Sequence, residues 1–330
     1  MKVLHIIGAD LSKKTIDFVS HAFNSHLQIN NNAEGFQELM TWLANQKMIA
    51  SEIMMVMEHT GLYSCALEEF LHRNSIAFSK VSGLAIKRSM GLVRGKNDKI
   101  DARRIAQYGF EKQNHLPIEQ APSEKLRKLK LLHSTRAKLV KQRAGLITTV
   151  QEYQQVLQLK KSDIVLQVQL RLIRTLDREI KKLDAAIEAI IKTEEKINTN
   201  YRLLQTIKGV GEVVALAMII KTGNFTRFVN SRKFACFCGT APFEHRSGTS
   251  IRGKTRVSHL ADKAMKTLLE LSARSAIQYD KELREYYLKR IAAGKAKRST
   301  INIIRNKILH RIFAVINRQT PYQPIFNPTL

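Results

Sequence analysis

The chain has 330 residues, with 55 Lys and Arg against 28 Asp and Glu, a formal charge of +27 and a pI near 10.2. That imbalance speaks of partners rather than of fold, and a polyanion such as DNA or RNA is the simplest partner, with an anionic membrane surface as the rival. No apolar run approaches the roughly 18–20 residues of a spanning helix, the N-terminal apolar stretch lacks the pattern of a cleaved leader, and three cysteines (Cys65, Cys236 and Cys238) cannot build a disulfide framework.

Residues 3–9, 15–21 and 26–30 read as three strands. Residues 33–45 read as a helix, with Phe36, Leu39, Met40 and Leu43 on one face. A strand at 51–57, a helix at 63–73 and a strand at 76–81 come next. A further helix carries Asp98 and Asp101 onward through Ile105. This order predicts an α/β domain with a mixed sheet flanked by helices. Pro117 and Pro122 bracket a linker. From there to residue 200 the chain has no Pro and one glycine, Gly145. Leu166, Leu170, Ile173, Leu176, Ile180, Leu183, Ile187 and Ile190 recur every three or four residues. They predict a long amphipathic helix of coiled-coil character, either half of an intramolecular hairpin or a dimerisation arm. After residue 200 glycine returns and basic helices run to the C-terminus. The predicted domains are thus 1–118, 119–199 and 200–330.

Four acids occupy unusual places. Asp10 follows the apolar run 3–9, and Glu58 follows the apolar run 53–57. Asp98 and Asp101 are three apart, so they share a helix face. Strand ends gather at one edge of a sheet, and a helix against that edge adds two more carboxylates. Crowded anionic oxygens repel one another unless a hard cation lies between them. Mg²⁺ takes oxygen ligands, keeps some waters and binds phosphates. In a strongly basic chain, two Mg²⁺ ions would serve phosphodiester chemistry. The plainer reading makes these acids solvated caps.

Lys208-Gly209-Val210-Gly211 permits a tight turn before a helix whose free N–H groups can cradle a phosphate. It resembles the hairpin of helix-hairpin-helix modules. The loop 238–254 mixes Gly, Ser, Arg and Lys without apolar period, and Arg246, Arg252 and Lys254 are its candidate phosphate contacts. Ser247 lies between Arg246 and Gly248. A serine hydroxyl needs a base or a metal to become a nucleophile, and residue chemistry alone leaves Ser250 and Ser258 as equal candidates. No acid occurs after Glu285, while nine Lys or Arg do, Arg298 and Arg305 among them. Cys236-x-Cys238 has no matching Cys or His pair nearby and is assigned no metal.

Asp10-x-Ser12-Lys13, Glu58-x-Thr60-Gly61-x-Tyr63 and Lys96-x-Asp98-x-x-Asp101-Ala102, in this order, resemble the DEDD insertion-sequence transposases, the family of the pilin-gene invertases and the bridge-RNA-guided recombinases. The likeness covers nearly the whole chain and extends to Gly209-Val210-Gly211 and to Ala241-Pro242 followed by Ser247-Gly248. It implies a RuvC-like, ribonuclease-H-like domain in which Asp10, Glu58, Asp98 and Asp101 bind Mg²⁺. It implies that Ser247 attacks a DNA phosphate and holds a transient phosphoserine link, with carboxylates and serine supplied by different domains. The expected partners are donor and target DNA, a structured noncoding bridge RNA, and further copies in a dimer or tetramer. No membrane is expected, and the expected place is the bacterial cytoplasm beside the nucleoid. One departure stands out: where many relatives carry Gly-Asn and Leu-Arg after the loop, this chain reads from His259 to Lys266, and Lys266 stands in the arginine's place. Two other functions fit the residues. A Holliday-junction resolvase-like nuclease would use the acids without a serine link. A nucleic-acid scaffold would use the charge alone.

Overall fold

A computed structural model describes residues 5–91, 95, 97–119, 123–228, 230–247 and 251–324, without the side chains of residues 245–247, 251, 252 and 254. The chain forms two compact units, residues 1–121 and 122–330.

The first unit is built on five strands: β1 (His5–Leu11), β2 (Thr15–Ser20), β3 (His26–Asn30), β4 (Ile53–Glu58) and β5 (Ala77–Val81). Their order is β3-β2-β1-β4-β5. β1, β2 and β3 form an antiparallel meander, while β4 runs parallel to both β1 and β5. The predicted mixed sheet is therefore present. Helices α1 (Ala33–Asn45), α2 (Cys65–Arg73), α3 (Gly83–Ser89) and α4 (Asp98–Lys112) complete it. Alternation sorts the strand residues onto two faces. Ile7, Ala9, Ile16, Phe18, Met55 and Met57 face a core shared with Phe36 and Leu39 of α1 and Leu67 and Leu71 of α2. Ile6, Met54 and Val56 face the other way, toward Ile105 of α4.

α4 lies unusually close to the sheet. A Cβ on Gly8 would stand 2.2 Å from the Ala102 carbonyl oxygen and 2.3 Å from the Ala106 nitrogen, and one on Gly109 would stand 2.8 Å from Ile6 and Val56. Glycine at position 8 and alanines at 102 and 106 are what let helix and strand meet. Residues 102 and 106 lie over Gly8, and residue 109 lies over Ile6. The helix thus runs antiparallel to β1 and carries its first turn to the Asp10 end.

The second unit begins with α5 (Glu124–Gln155) and α6 (Ile164–Thr193). Ion pairs join Lys125 to Glu194 at 2.6 Å, Arg136 to Asp184, and Arg143 to Asp177 at 2.7 Å. As one number rises the other falls, so the two helices form an antiparallel hairpin within the chain. The base of this hairpin is continuous with the C-terminal part of the unit. Leu126, Leu129, Ile187 and Ile191 are buried in the same core as the C-terminal helices. Those helices are α7 (Glu195–Gln205), α8 (Glu212–Thr222), α9 (Ser231–Phe237), α10 (Lys263–Tyr279), α11 (Lys281–Ala292) and α12 (Lys297–Arg318), with a two-stranded hairpin of β6 (Pro242–Ser247) and β7 (Ile251–Val257) between α9 and α10. Val214 to Ile220 of α8 are buried without a gap, as in a helix surrounded by others. Among the described residues no helix is long and apolar enough to cross a membrane.

Candidate active site

Strand register places the first two acids side by side. Ala9 of β1 pairs with Met57 of β4, so the next residues, Asp10 and Glu58, are neighbours on the face that α4 covers. Asp10 does not end its strand as its position after the apolar run predicts. β1 continues to Leu11, and Asp10 has Asp17 of β2 as its Cα partner. α4 opens at Asp98, so Asp98 and Asp101 both lie in its first turn. The side chain of Asn97 caps that turn by accepting from the Ile100 N–H at 2.7 Å, and the acids sit at the helix end where partial positive charge favours them.

Asp10 feels the other three acids. The Asp10 carboxyl is pushed up to about 6 from an ordinary 3.8, first by burial and then by the negative charges of Asp101, Asp98 and Glu58, with Asp17 adding last. Other contacts hold these acids in place. Asp101 is paired with Arg104 at 2.8 Å, and Arg104 also donates to the Gly95 carbonyl at 2.9 Å. Glu58 lies over Gly83, where a Cβ would stand 2.0 Å from its Oε1. Among the described residues, no three acidic, His or Cys side chains are gathered closely enough to share one ion. The donor set nonetheless suits a hard divalent cation, because it offers only oxygen and its mutual repulsion is what such an ion relieves.

Loops beside the acids are tied together by residues that the motifs pass over. Asn31, just after β3, donates to the Ser12 carbonyl at 3.1 Å and to the Tyr63 carbonyl at 3.0 Å. It thereby joins the loop after β1 to the loop after β4. Behind the second loop, buried Glu68 accepts from Ser64 at 2.6 Å and from Lys80 at 3.0 Å. Leu62 and Tyr63 remain exposed on the outside. The only signal for Asn31 in the sequence is its place in Asn30-Asn31-Asn32, which reads as a plain turn.

In the second unit the predicted phosphate contacts fall into distinct settings. Lys208 and Gly211 are exposed. Gly211 caps α8, and a Cβ there would meet nothing within 4 Å. Gly209 is different. Its φ is +89°, and a Cβ would stand 2.5 Å from the Ser272 carbonyl of α10. Close helix approach therefore already accounts for this glycine. Arg298 is exposed, whereas Arg305 is mostly buried and paired with Glu270. Arg246 and Ser247 lie on β6, and Arg252 and Lys254 on β7, but their side chains fall outside the described residues. Gly248 and Lys96 are outside them altogether. Both roots of this hairpin are pinned. Buried Thr240 is held by Asn302 and Asn306 of α12, and Asp262 accepts from Lys221 at 2.6 Å while capping α10. Cys236 is exposed and Cys238 buried, and both thiols are free.

Two family models match. A DEDD-type transposase model of the IS110 kind covers residues 7–159, and a model described as the IS116/IS110/IS902 transposase family covers residues 201–288. The chain belongs to the IS110-type transposases. The first model spans all four acids and the second spans the glycine turn and the β6–β7 hairpin. Among curated relatives, the pilin gene-inverting protein of Moraxella bovis is 28% identical over 326 residues, covering 96% of this transposase and 97% of the relative. The same-named protein of Moraxella lacunata matches to the same extent. The transposase for insertion sequence element IS1111A of Coxiella burnetii is 27% identical over 159 residues, covering 46% of this chain and 43% of that one.

Proposed function

We propose that this transposase cuts and rejoins donor and target DNA, with Asp10, Glu58, Asp98 and Asp101 holding two Mg²⁺ ions and Ser247 acting as nucleophile. The observation that carries the metal assignment is that strand register sets Asp10 beside Glu58 while α4 brings its first turn, with Asp98 and Asp101, to the Asp10 end of β1. Membership of a DEDD transposase family points the same way, to dependence on a divalent metal. The five-stranded order with its parallel and antiparallel parts is the arrangement a RuvC-like domain needs, and we assign that fold to the first unit. Bound at the acids, Mg²⁺ would neutralise phosphate charge and stabilise the attacking and leaving oxygens.

The chain's own residues do the rest. The Ser247 oxygen bonds to phosphorus as the bond from phosphorus to a sugar oxygen breaks. The serine proton passes to a base, and the leaving oxygen takes up a proton. Attack by the other DNA end on the phosphoserine reverses these changes and rejoins the strand. The pinned roots at Thr240 and Asp262 fix where the hairpin bearing Ser247 leaves its domain. Lys208, Gly209, Gly211, Arg246, Arg252, Lys254, Arg298 and Arg305 form the proposed phosphate grip, with Gly209 and Arg305 acting through the packing they secure. The glycine turn between α7 and α8 is assigned a helix-hairpin-helix role. A noncoding bridge RNA supplies sequence recognition by pairing, which suits a chain whose excess positive charge grips backbone without reading bases. Two strands must be exchanged on each of two DNAs, so the working form is a dimer or tetramer.

Ser247→Ala tests the nucleophile. It should bind DNA at the wild-type level, trap no covalent protein–DNA adduct and lose strand exchange by several orders of magnitude. A variant that still recombines donor and target would remove the serine from the reaction.

A further inference from the structure

A fifth acid lies in the same row as the first two. Asp17 of β2 is 3% exposed, although it carries a charge. The register pairs it with Asp10 on one side and with Gln28 of β3 on the other. Directly opposed residues of neighbouring strands put their side chains on one face, so Glu58, Asp10, Asp17 and Gln28 form a continuous polar row on the face that α4 packs against, with Gln28 at its exposed end. Both carboxylate oxygens of Asp17 are engaged: Oδ1 with His26 Nε2 at 2.7 Å, and Oδ2 accepts from Gln28 Nε2 at 3.0 Å.

We infer that Asp17, clamped by His26 and Gln28, is a positioning residue of the active site, which holds negative charge beside Asp10 and so strengthens that ligand's pull on the divalent cation. A buried acid is a poor way to stabilise a sheet, because an apolar residue of similar volume avoids the desolvation of a charge. Val19, two positions along the same face, shows that an apolar side chain fits under α4. What the acid supplies is charge directly across from Asp10, its Cα partner in the neighbouring strand. Its oxygens are committed to β3, so it supports a ligand rather than serving as one. Residues behind a metal ligand fix its orientation and raise its pull on the ion, and their loss typically weakens metal affinity roughly 10–100-fold.

This inference rests on the four-acid reading, and the experiment separates the two. Mn²⁺ binding to the full chain, free of nucleic acid, is followed by loss of the free-ion electron-paramagnetic-resonance signal. Asp10→Asn should abolish binding. Asp17→Asn, which keeps shape and removes charge, should weaken it about 10–100-fold. His26→Leu, which removes the clamp, should weaken it in the same direction, and His26→Gln, which keeps a donor, should recover part of that loss. A purely structural role for Asp17 would lower the melting temperature of the cation-free chain without changing Mn²⁺ affinity, and that pattern overturns the inference. If Asp17→Asn does not fold, His26→Leu decides: unchanged Mn²⁺ affinity overturns the inference and weakened affinity supports it. If Asp10→Asn binds Mn²⁺ like the wild type, the four-acid reading fails and takes the inference with it. Loss in Asp10→Asn alone leaves that reading intact and removes only Asp17.

Discussion

Asp10 concentrates the conflict on which the site is built. Its folded carboxyl holds a proton up to about pH 6, while an unfolded one releases it near 3.8. Between those values the folded state binds more protons, so stability is highest at the acid end and is lost as pH rises through 6. We expect the melting temperature of the cation-free chain to fall more steeply between pH 5 and 7 in the wild type than in Asp10→Asn. Equal slopes in a chelator-treated melting series would mean that Asp10 is not crowded by its neighbours. The same residue shows what can be read from sequence. An acid after an apolar run is visible, as is Glu58, because apolar runs mark strands. Asp17 is not visible. In Thr15-Ile16-Asp17-Phe18-Val19 it occupies the polar beat of an alternating strand, which reads as a solvent face. Only α4, arriving from 80 residues further on, turns that face inward, and its approach depends on Gly8, Ala102 and Ala106.

At the scale of elements, the arm and the glycine turn show how far periodicity reaches. The spacing of Leu166 to Ile190 specifies an apolar stripe, and a stripe does not name its partner. The charges do, since Arg136 and Arg143 of α5 meet Asp184 and Asp177 of α6 in antiparallel order. The turn between α7 and α8 teaches the converse. Gly209 and Gly211 look equivalent as sequence, yet only Gly209 has a left-handed φ and a neighbour too close for a side chain. Gly209→Ala should therefore destabilise the chain by roughly 1–3 kcal/mol, through backbone strain and overpacking against α10. Gly211→Ala should leave stability near the wild type and weaken DNA binding if the turn grips phosphate. Denaturant unfolding of the two variants, with a DNA titration beside it, separates the roles. A Gly209→Ala chain as stable as the wild type would contradict the packing account.

For the whole molecule, +27 charges are not 27 contacts. Composition separates the arm from the C-terminal domain near residue 200, because glycine returns there, but buried Leu126, Leu129, Ile187 and Ile191 join the arm's base to the C-terminal core. Composition also treats every Lys and Arg after Glu285 alike, whereas packing divides them. Arg311 pairs with Asp280 and Glu282, and Lys307 lies over the Tyr286 ring at 4.5 Å. Arg305 is tied to Glu270 with 13% of its side chain exposed, while Arg298 lies in the first turn of α12 in solvent. Two arginines seven residues apart should thus fail differently. Arg305→Ala removes the less exposed of Glu270's two arginine partners, leaving it Arg274, and should lower stability by roughly 1–3 kcal/mol. Arg298→Ala should leave stability unchanged and weaken DNA binding, lowering the slope of log affinity against log salt by about 1 if it neutralises one phosphate. The measurement is a DNA titration at several salt concentrations on both variants, with melting as the control. A salt slope that is unchanged in Arg298→Ala but reduced in a stably folded Arg305→Ala would show that exposure in the free chain does not mark the residues that meet DNA.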